Sequence, residues 1–242
     1  MTLPLLVLAL AVPAPVRAAE PSAAGLTEAD ALYFHRDQKG NLEKSQAVLD
    51  GLLKAKPDDA EALWRKARGL VRQGEDAKEK ADKLRLFKEA EADALKAAPL
   101  LPKSAEPHFW AGVAMGRRGE TQGILHSLFL ISPIRTQMHD ALLADPRHGG
   151  AHRVLGEILW QVPGFAGGDK REATTEFEEA VRLSPNYTAN YPVLAKAYLH
   201  FGRKDDAAEV LRRALNITVP DDPAAHAESL AKLRALWDKP PY

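Results

Sequence analysis

The sequence predicts an all-α protein made of repeated helix pairs. Ala, Leu, Glu, Lys and Arg dominate its 242 residues, a composition that favours helix. Prolines recur along the chain with a small residue ten positions after each one. The prolines are Pro57, Pro102, Pro146 and Pro185, and the small residues are Ala67, Gly112, Gly156 and Ala195. Because proline interrupts helices and small residues let two helices approach closely, each interval predicts one helix pair.

Glycines follow the same repeat and predict where each pair turns. Gly74, Gly119 and Gly202 stand 17 positions after three of the prolines, and Gly164 follows the matching position after Pro146. Glycine adopts the backbone angles of tight turns without strain. We therefore expect these glycines to supply the turn between the two helices of a unit.

The first 18 residues differ from the rest of the chain and predict an export signal. Residues 3–12 are almost wholly apolar, and prolines then interrupt the run. Small or apolar side chains at Val16 and Ala18 fit a signal-peptidase site, so we expect cleavage after Ala18. The alternative is a frayed apolar N-terminus, since no Lys or Arg precedes the apolar run. Residues 19–25 are expected to form a flexible N-terminus.

Charge and cysteine content limit the location and the partners. The chain has 33 basic and 33 acidic residues. Nucleic acid is therefore not an expected partner, because phosphate binding needs a basic excess. The apolar run at 3–12 is too short to span a membrane. The chain has no cysteine, so it lacks the acylation site of a lipoprotein. Together with the signal, these features predict an exported protein that is periplasmic or secreted.

One repeat unit carries the spacing of a known helical motif. Its first helix has a Leu-Gly pair, and its second has Ala, Phe, Ala and Pro at fixed intervals. The residues are Leu155, Gly156, Ala173, Phe177, Ala180 and Pro185. In this pattern the chain resembles the tetratricopeptide repeat family. The resemblance implies a right-handed solenoid of about five helix pairs with a C-terminal capping helix that covers its open end.

The repeat phase divides residues 26–238 into units of unequal length. The expected units are 26–59, 60–104, 105–148, 149–187 and 188–221, with the cap at 223–238. Units two and three exceed the motif by 11 and 10 residues. Each excess is about three helical turns, which preserves the buried face of a helix. We therefore expect two overlong second helices, near 76–98 and 121–144.

The long second helices and a Gly-rich loop at 163–169 narrow the resemblance. In these features the chain is similar to exported bacterial proteins of the type that accompanies some TRAP transporters, the T-component. It is more distantly similar to the regulator-of-microtubule-dynamics proteins. The stretch 109–186 carries this narrower resemblance.

The tetratricopeptide resemblance implies that the first helix of each unit lines a concave binding surface. The residues it places there are Trp64, Arg68, Arg72, Phe109, Arg117, Arg153, Glu157, Trp160, Lys196 and His200. Guanidinium groups pair with carboxylates and aromatic rings supply apolar contact, so this surface suits an acidic peptide or an anionic small molecule. The alternative is a set of ordinary solvated helix faces, with Trp64 and Trp160 in the core.

The loop at 163–169 is a second candidate contact. Phe165, Gly167, Gly168 and Asp169 lie in it, and Asp169 is expected to cap the following helix. One interpretation is a structural turn around an inserted Phe165. The other is a loop that contacts a partner.

The segment 124–131 is the most apolar stretch after the N-terminal run. It predicts a dimer surface, a lid over a ligand, or an overlong helix buried beneath the inserted helix of unit two. The sequence leaves these three interpretations open.

Motifs for catalysis and metal binding are missing from the sequence. It has no Cys nucleophile, no Gly-x-Ser-x-Gly and no His-Glu-x-x-His. His148 and His152 are four residues apart, but Gly149 and Gly150 lie between them and no third ligand is evident. We expect no cofactor, no metal and no enzyme activity. The predicted function is an exported, non-catalytic scaffold for a protein or peptide, with an accessory of a TRAP-like solute uptake system as the alternative. The accessory would bind an anionic small molecule or a solute-binding protein.

Overall fold

The computed structural model describes residues 21–238, and helices account for most of that range. The helices are α1 (Pro21–Phe34), α2 (Asn41–Ala55), α3 (Ala60–Asp76), α4 (Lys80–Ala97), α5 (Glu106–Gln122), α6 (Ile124–Ala144), α7 (Gly149–Gln161), α8 (Lys170–Leu183), α9 (Tyr191–His200), α10 (Lys204–Leu215) and α11 (Pro223–Asp238). Within 21–238 there is no β-strand. The predicted signal peptide, residues 1–18, lies outside the described residues.

The helices form five antiparallel pairs, α1/α2 to α9/α10, followed by α11. This arrangement confirms the predicted fold class. The four register prolines each follow the second helix of a pair. Ala67 and Ala195 are fully buried between helices. A Cβ added at Gly156 would lie 2.6 Å from the Phe177 ring. The small residues therefore do allow close helix approach, as expected.

Two of the predicted turn glycines have a different role. Gly74 lies inside α3 and Gly119 inside α5. A Cβ at Gly74 would lie 2.4 Å from the Phe87 ring, so this glycine admits the second helix of its unit. Of the three glycines that stand 17 positions after a proline, Gly202 alone has a positive φ, at 71°. The α5–α6 turn is made instead by Gly123, with φ 110°.

The second helices of units two and three are overlong, as predicted. Helix α4 has 18 residues and α6 has 21. Both begin later than expected, because α3 continues to Asp76 and α5 to Gln122. The extra residues therefore lengthen both helices of each unit.

The N-terminal residues 21–25 are helical, which corrects the expectation of a flexible segment. They form the first turns of α1. Gly25 packs against the Leu52 side chain, and the Ser22 hydroxyl donates to Asp59 Oδ2 at 3.1 Å. These contacts come from α2 and the loop after it, and no local sequence signal announces them.

The C-terminal helix α11 contacts the first two units as well as the last one. Asp222, just before α11, forms a 2.9 Å ion pair with Arg36 in the loop between α1 and α2. Both side chains are less than a tenth exposed, at 5% and 8%. Arg72 of α3 lies 3.8 Å from Glu228 of α11. Helix α11 thus joins the two ends of the helix array.

Between residues 21 and 238, no helix is long and apolar enough to cross a membrane.

Candidate interaction surface

The first predicted surface residues, Trp64 and Arg68, are buried. Arg68 is 6% exposed and donates from Nη2 to Asp30 Oδ1 at 2.6 Å. Its guanidinium carbon lies 3.7 Å from the centroid of the Tyr33 ring. Trp64 is 7% exposed and donates to Glu61 Oε2 at 2.9 Å. This part of the predicted surface therefore joins α1 to α3, and it corrects the expectation of an open binding face here.

Arg72 and Arg117 belong to a row of ion pairs that crosses from unit two to unit three. Glu75 accepts from Arg72 Nη1 and from Arg117 Nε, both at 2.7 Å. Arg117 also donates to Glu120 at 3.0 Å. Burial lowers the pKa of Arg117, but the charges of Glu75 and Glu120 outweigh burial and raise it. We call these four residues the ion-pair row.

The next unit repeats this arrangement with Arg153 and Glu157 of α7. Arg153 donates from Nη1 to Glu157 Oε1 at 2.6 Å. The charge of Glu157 raises the pKa of Arg153 despite its burial. Burial raises the pKa of Tyr187, while the charges of Arg153 and Arg72 oppose that rise. Tyr187 therefore shares one polar environment with arginines of units two and four.

Trp160, Lys196 and His200 form a more open end of the predicted surface. The Trp160 ring centroid lies 5.1 Å from that of His200 and 6.4 Å from that of Phe201. Lys196 and His200 are exposed, and Trp160 is half-buried. Lys170 Nζ lies 5.2 Å from the Trp160 centroid. Trp160 is therefore neither a core residue nor a solvated one, and this aromatic end is accessible.

Phe109 lies away from that open end and is 8% exposed. Its ring packs 5.0 Å from Trp110 and 4.7 Å from His148, measured between centroids. His148 Nδ1 accepts from the Ala151 amide and so caps α7. Phe109 is a packing residue, which corrects its assignment to the binding surface.

His148 and His152 both have structural partners. His152 Nδ1 lies 2.7 Å from Glu176 Oε2 of α8. The hydrogen bond to Glu176 is the main reason that the pKa of His152 is raised. Over the range 21–238, no group of three or more His, Cys, Asp or Glu side chains could hold a metal ion.

The loop at 163–169 is ordered by its own hydrogen bonds. The Asp169 side chain accepts from the Arg171 and Glu172 amides, as expected for the cap of α8. Gly167 has φ 87°, and its carbonyl accepts from Arg135 Nη2 of α6 at 2.9 Å. Phe165 is 96% exposed. The loop is therefore a structural turn, as one interpretation expected, but Phe165 lies in solvent and is not inserted into the fold.

The apolar segment 124–131 is exposed at the start of α6. Ile124 is 81% exposed, Leu125 72%, Leu128 45% and Phe129 82%. The interpretation of a helix buried beneath unit two is therefore wrong for these residues. The long helix α4 packs against α3 and α5 and leaves this part of α6 uncovered. We call these four residues the α6 patch.

The sequence matches the model of a known protein family over most of its length. The family model of regulator of microtubule dynamics protein 1-3 matches residues 26–163 and 170–237. The chain belongs to this family. Sequence analysis had named the regulator-of-microtubule-dynamics proteins as the more distant resemblance, and this is the family to which the chain belongs. The match leaves out residues 164–169, which include Phe165.

Solved structures similar to this family member are tetratricopeptide repeat proteins. TTC0263 of Thermus thermophilus superposes with a TM-score of 0.66 and 20% identity, over 88% of this chain and 98% of that one. MamA gives 0.48 and 19%, over 82% and 95%. YrrB, a tetratricopeptide repeat protein with an unusual peptide-binding site, gives 0.43 and 18%, over 84% and 90%. No curated protein matches this chain. The likeness to TTC0263 shows the tetratricopeptide-like solenoid fold.

Sequence analysis missed two carboxylates of this family member, Asp30 and Glu75, which pair with arginines of the predicted surface. Asp30 lies 38 residues before Arg68, and Glu75 lies 42 residues before Arg117. Each interval is about one repeat unit, so alignment of the units against each other would have placed an acid beside each of these two arginines.

Proposed function

We propose that this protein is a non-catalytic scaffold that binds a partner protein or peptide on the concave side of its solenoid. The observation that carries the proposal is the ion-pair row of Arg72, Glu75, Arg117 and Glu120. Its side chains are 21% to 56% exposed and are held in place by one another. Polar groups that are fixed before binding lose less conformational entropy when a partner arrives.

The pairing of charges along the whole predicted surface determines which partner fits best. Asp30, Glu75 and Glu157 already pair with the arginines that an acidic ligand would need. A segment with both donors and acceptors, such as an extended peptide backbone, complements paired charges better than a purely acidic one. The same pairing gives no support to an anionic small molecule as the ligand of a TRAP-like accessory. A solute-binding protein remains one kind of protein partner within this proposal.

The open aromatic end is the proposed anchor for such a partner. Trp160 and Phe201 offer apolar rings beside the exposed Lys196 and His200. Aromatic side chains at a partly exposed site are typical of the residues that dominate binding energy. We propose that partner contacts are concentrated there and continue along the ion-pair row.

Export is part of the same proposal and rests on the N-terminal sequence. Removal of residues 1–18 would release the solenoid into the periplasm or the medium. The test is the intact mass and N-terminal sequence of the protein recovered from each cell fraction. Recovery of uncleaved chain from the interior of the cell would contradict export.

The binding experiment uses charge reversal at the open end. Immobilised protein is exposed to extract of the native host, and a captured partner is identified, purified and measured by calorimetry. Lys196→Glu/His200→Glu changes two exposed side chains and is expected to weaken binding by about tenfold or more. Lys88→Glu, an exposed position on α4, is the matched control. Equal affinity for all three proteins would contradict the concave site.

A further inference from the structure

The α6 patch is a compact apolar surface without a covering element among residues 21–238. Ile124, Leu125, Leu128 and Phe129 occupy two neighbouring stripes of the first two turns of α6. Three of the four are more than 70% exposed. No Lys, Arg, Asp or Glu lies between Glu120 and Arg135. Monomeric proteins rarely expose apolar surface of this extent unless it contacts something.

The loop after α7 lies beside the same helix. Arg135 of α6 donates to the Gly167 carbonyl at 2.9 Å, which fixes the loop against α6. Phe165, two residues earlier, is 96% exposed. The loop is rigid because the Gly168 and Asp169 amides donate to the Pro163 and Leu159 carbonyls. Phe165 is therefore held in solvent by its backbone, on the loop that Arg135 ties to α6.

We propose that the α6 patch, with Phe165, is the interface between two copies of this chain. Phe129 and Phe165 each present roughly 150–250 Å², and with the three exposed aliphatic side chains the apolar surface is on the order of 600 Å². Specific interfaces bury roughly 600–1,000 Å² per partner, so these side chains reach the lower end of that range.

The absence of acidic and basic side chains from the patch allows it to face a second copy of itself. In a two-fold symmetric dimer every residue faces its own counterpart or a near neighbour of it. A charged surface would then place like charges together, but segment 121–134 has no Lys, Arg, Asp or Glu. Antiparallel contact of two α6 helices brings each apolar stripe against the same stripe of the other copy.

Sedimentation velocity over a wide concentration range tests the proposal on the intact chain. The wild-type protein is expected to sediment at twice the mass of one chain as concentration rises. Leu125→Glu/Phe129→Glu is expected to raise the dimer dissociation constant by about 100-fold or more. Leu143→Glu is the control, because Leu143 is as exposed as Phe129, at 82%, but lies at the other end of α6. All three substituted positions are exposed, and circular dichroism verifies that the helix content is unchanged.

Site-specific crosslinking gives a second readout, because the chain has no cysteine of its own. Leu125→Cys treated with a short bis-maleimide should form a covalent dimer, and Leu143→Cys should not. A monomeric wild type, equal crosslinking at both positions, or a dimer that survives Leu125→Glu/Phe129→Glu would each overturn the proposal. Binding of the monomer to lipid vesicles through the patch would overturn it too.

Discussion

Glu75 accepts a 2.7 Å hydrogen bond from Arg117 Nε although the two residues lie 42 positions apart and in different units. The same carboxylate accepts from Arg72 of its own helix. One acidic side chain thus holds two guanidinium groups in place. The predicted binding surface is therefore also part of what stabilises the contact between units two and three.

Replacement of Glu75 is expected to destabilise the protein. Glu75→Gln leaves the Arg72 and Arg117 charges without their shared partner. The free energy of unfolding should fall by about 2 kcal/mol, the cost of losing hydrogen bonds between charged groups. Urea unfolding measures it. Glu120→Gln is the control: Glu120 pairs with the same Arg117 but is 56% exposed, so its loss should have little effect. Equal effects of the two variants would contradict the role of Glu75.

Gly168 is expected to tolerate no larger residue. A Cβ at this position would lie 1.7 Å from the Val162 carbonyl oxygen, which is backbone and cannot move aside. Gly168→Ala should therefore cost roughly 2 kcal/mol of stability through overpacking and displace the loop. Thermal unfolding and limited proteolysis at 162–169 measure both effects. Gly164→Ala, where no atom lies within 4 Å of the new Cβ, should match the wild type.

Asp93 should make stability fall as pH rises through the acid range. Burial raises its pKa to about 6, with Glu89 adding to the rise and Lys66 opposing it. Since the folded state then holds a proton that the unfolded state releases near pH 4, folding becomes less favourable between about pH 4 and 6. Asp93→Asn should raise the melting temperature at pH 7 and leave it nearly unchanged below pH 4. A variant that is less stable than the wild type at pH 7 would show that the carboxylate stabilises the fold instead.

The pair between Arg36 and Asp222 should be important for stability because both side chains are buried. Arg36→Met leaves the Asp222 carboxylate without its charge partner, which typically costs about 3 kcal/mol. Amide hydrogen exchange should increase in α11 and in the loop between α1 and α2. Arg182→Met removes a pair whose side chains are 65% and 37% exposed, and should change neither stability nor exchange. Unchanged exchange in α11 after Arg36→Met would mean that other contacts hold this helix.

The fold was predictable from sequence because its signals are local and repeated. The four register prolines each follow the second helix of a pair, and Gly156 and Ala195 stand where two helices must approach. Asp169 was recognisable as a cap because the capping bond is made with amides only two and three residues away. Such features depend on short stretches of chain, which a single sequence displays directly.

The candidate site was less predictable because its contacts join distant units. Arg68 was expected on an open surface, but Asp30 and Tyr33 of the preceding unit cover it. Gly74 and Gly119 were expected in turns because they are glycines at the repeat spacing. They lie inside helices instead, and their role depends on which helix packs against them. Exposure of the α6 patch likewise depends on where the long α4 lies, and residue type alone cannot decide this.

The contact of α11 with the first unit has a consequence for the number of repeats. In an open array, adding or removing a unit disturbs only its neighbours, since each unit contacts only the ones beside it. Here the insertion or deletion of a whole unit would add or remove one step of rotation and rise. Asp222 would then no longer reach Arg36. The contact between the two ends therefore ties this solenoid to its number of helix pairs, whereas residues added within a unit, such as those in units two and three, leave that contact in place.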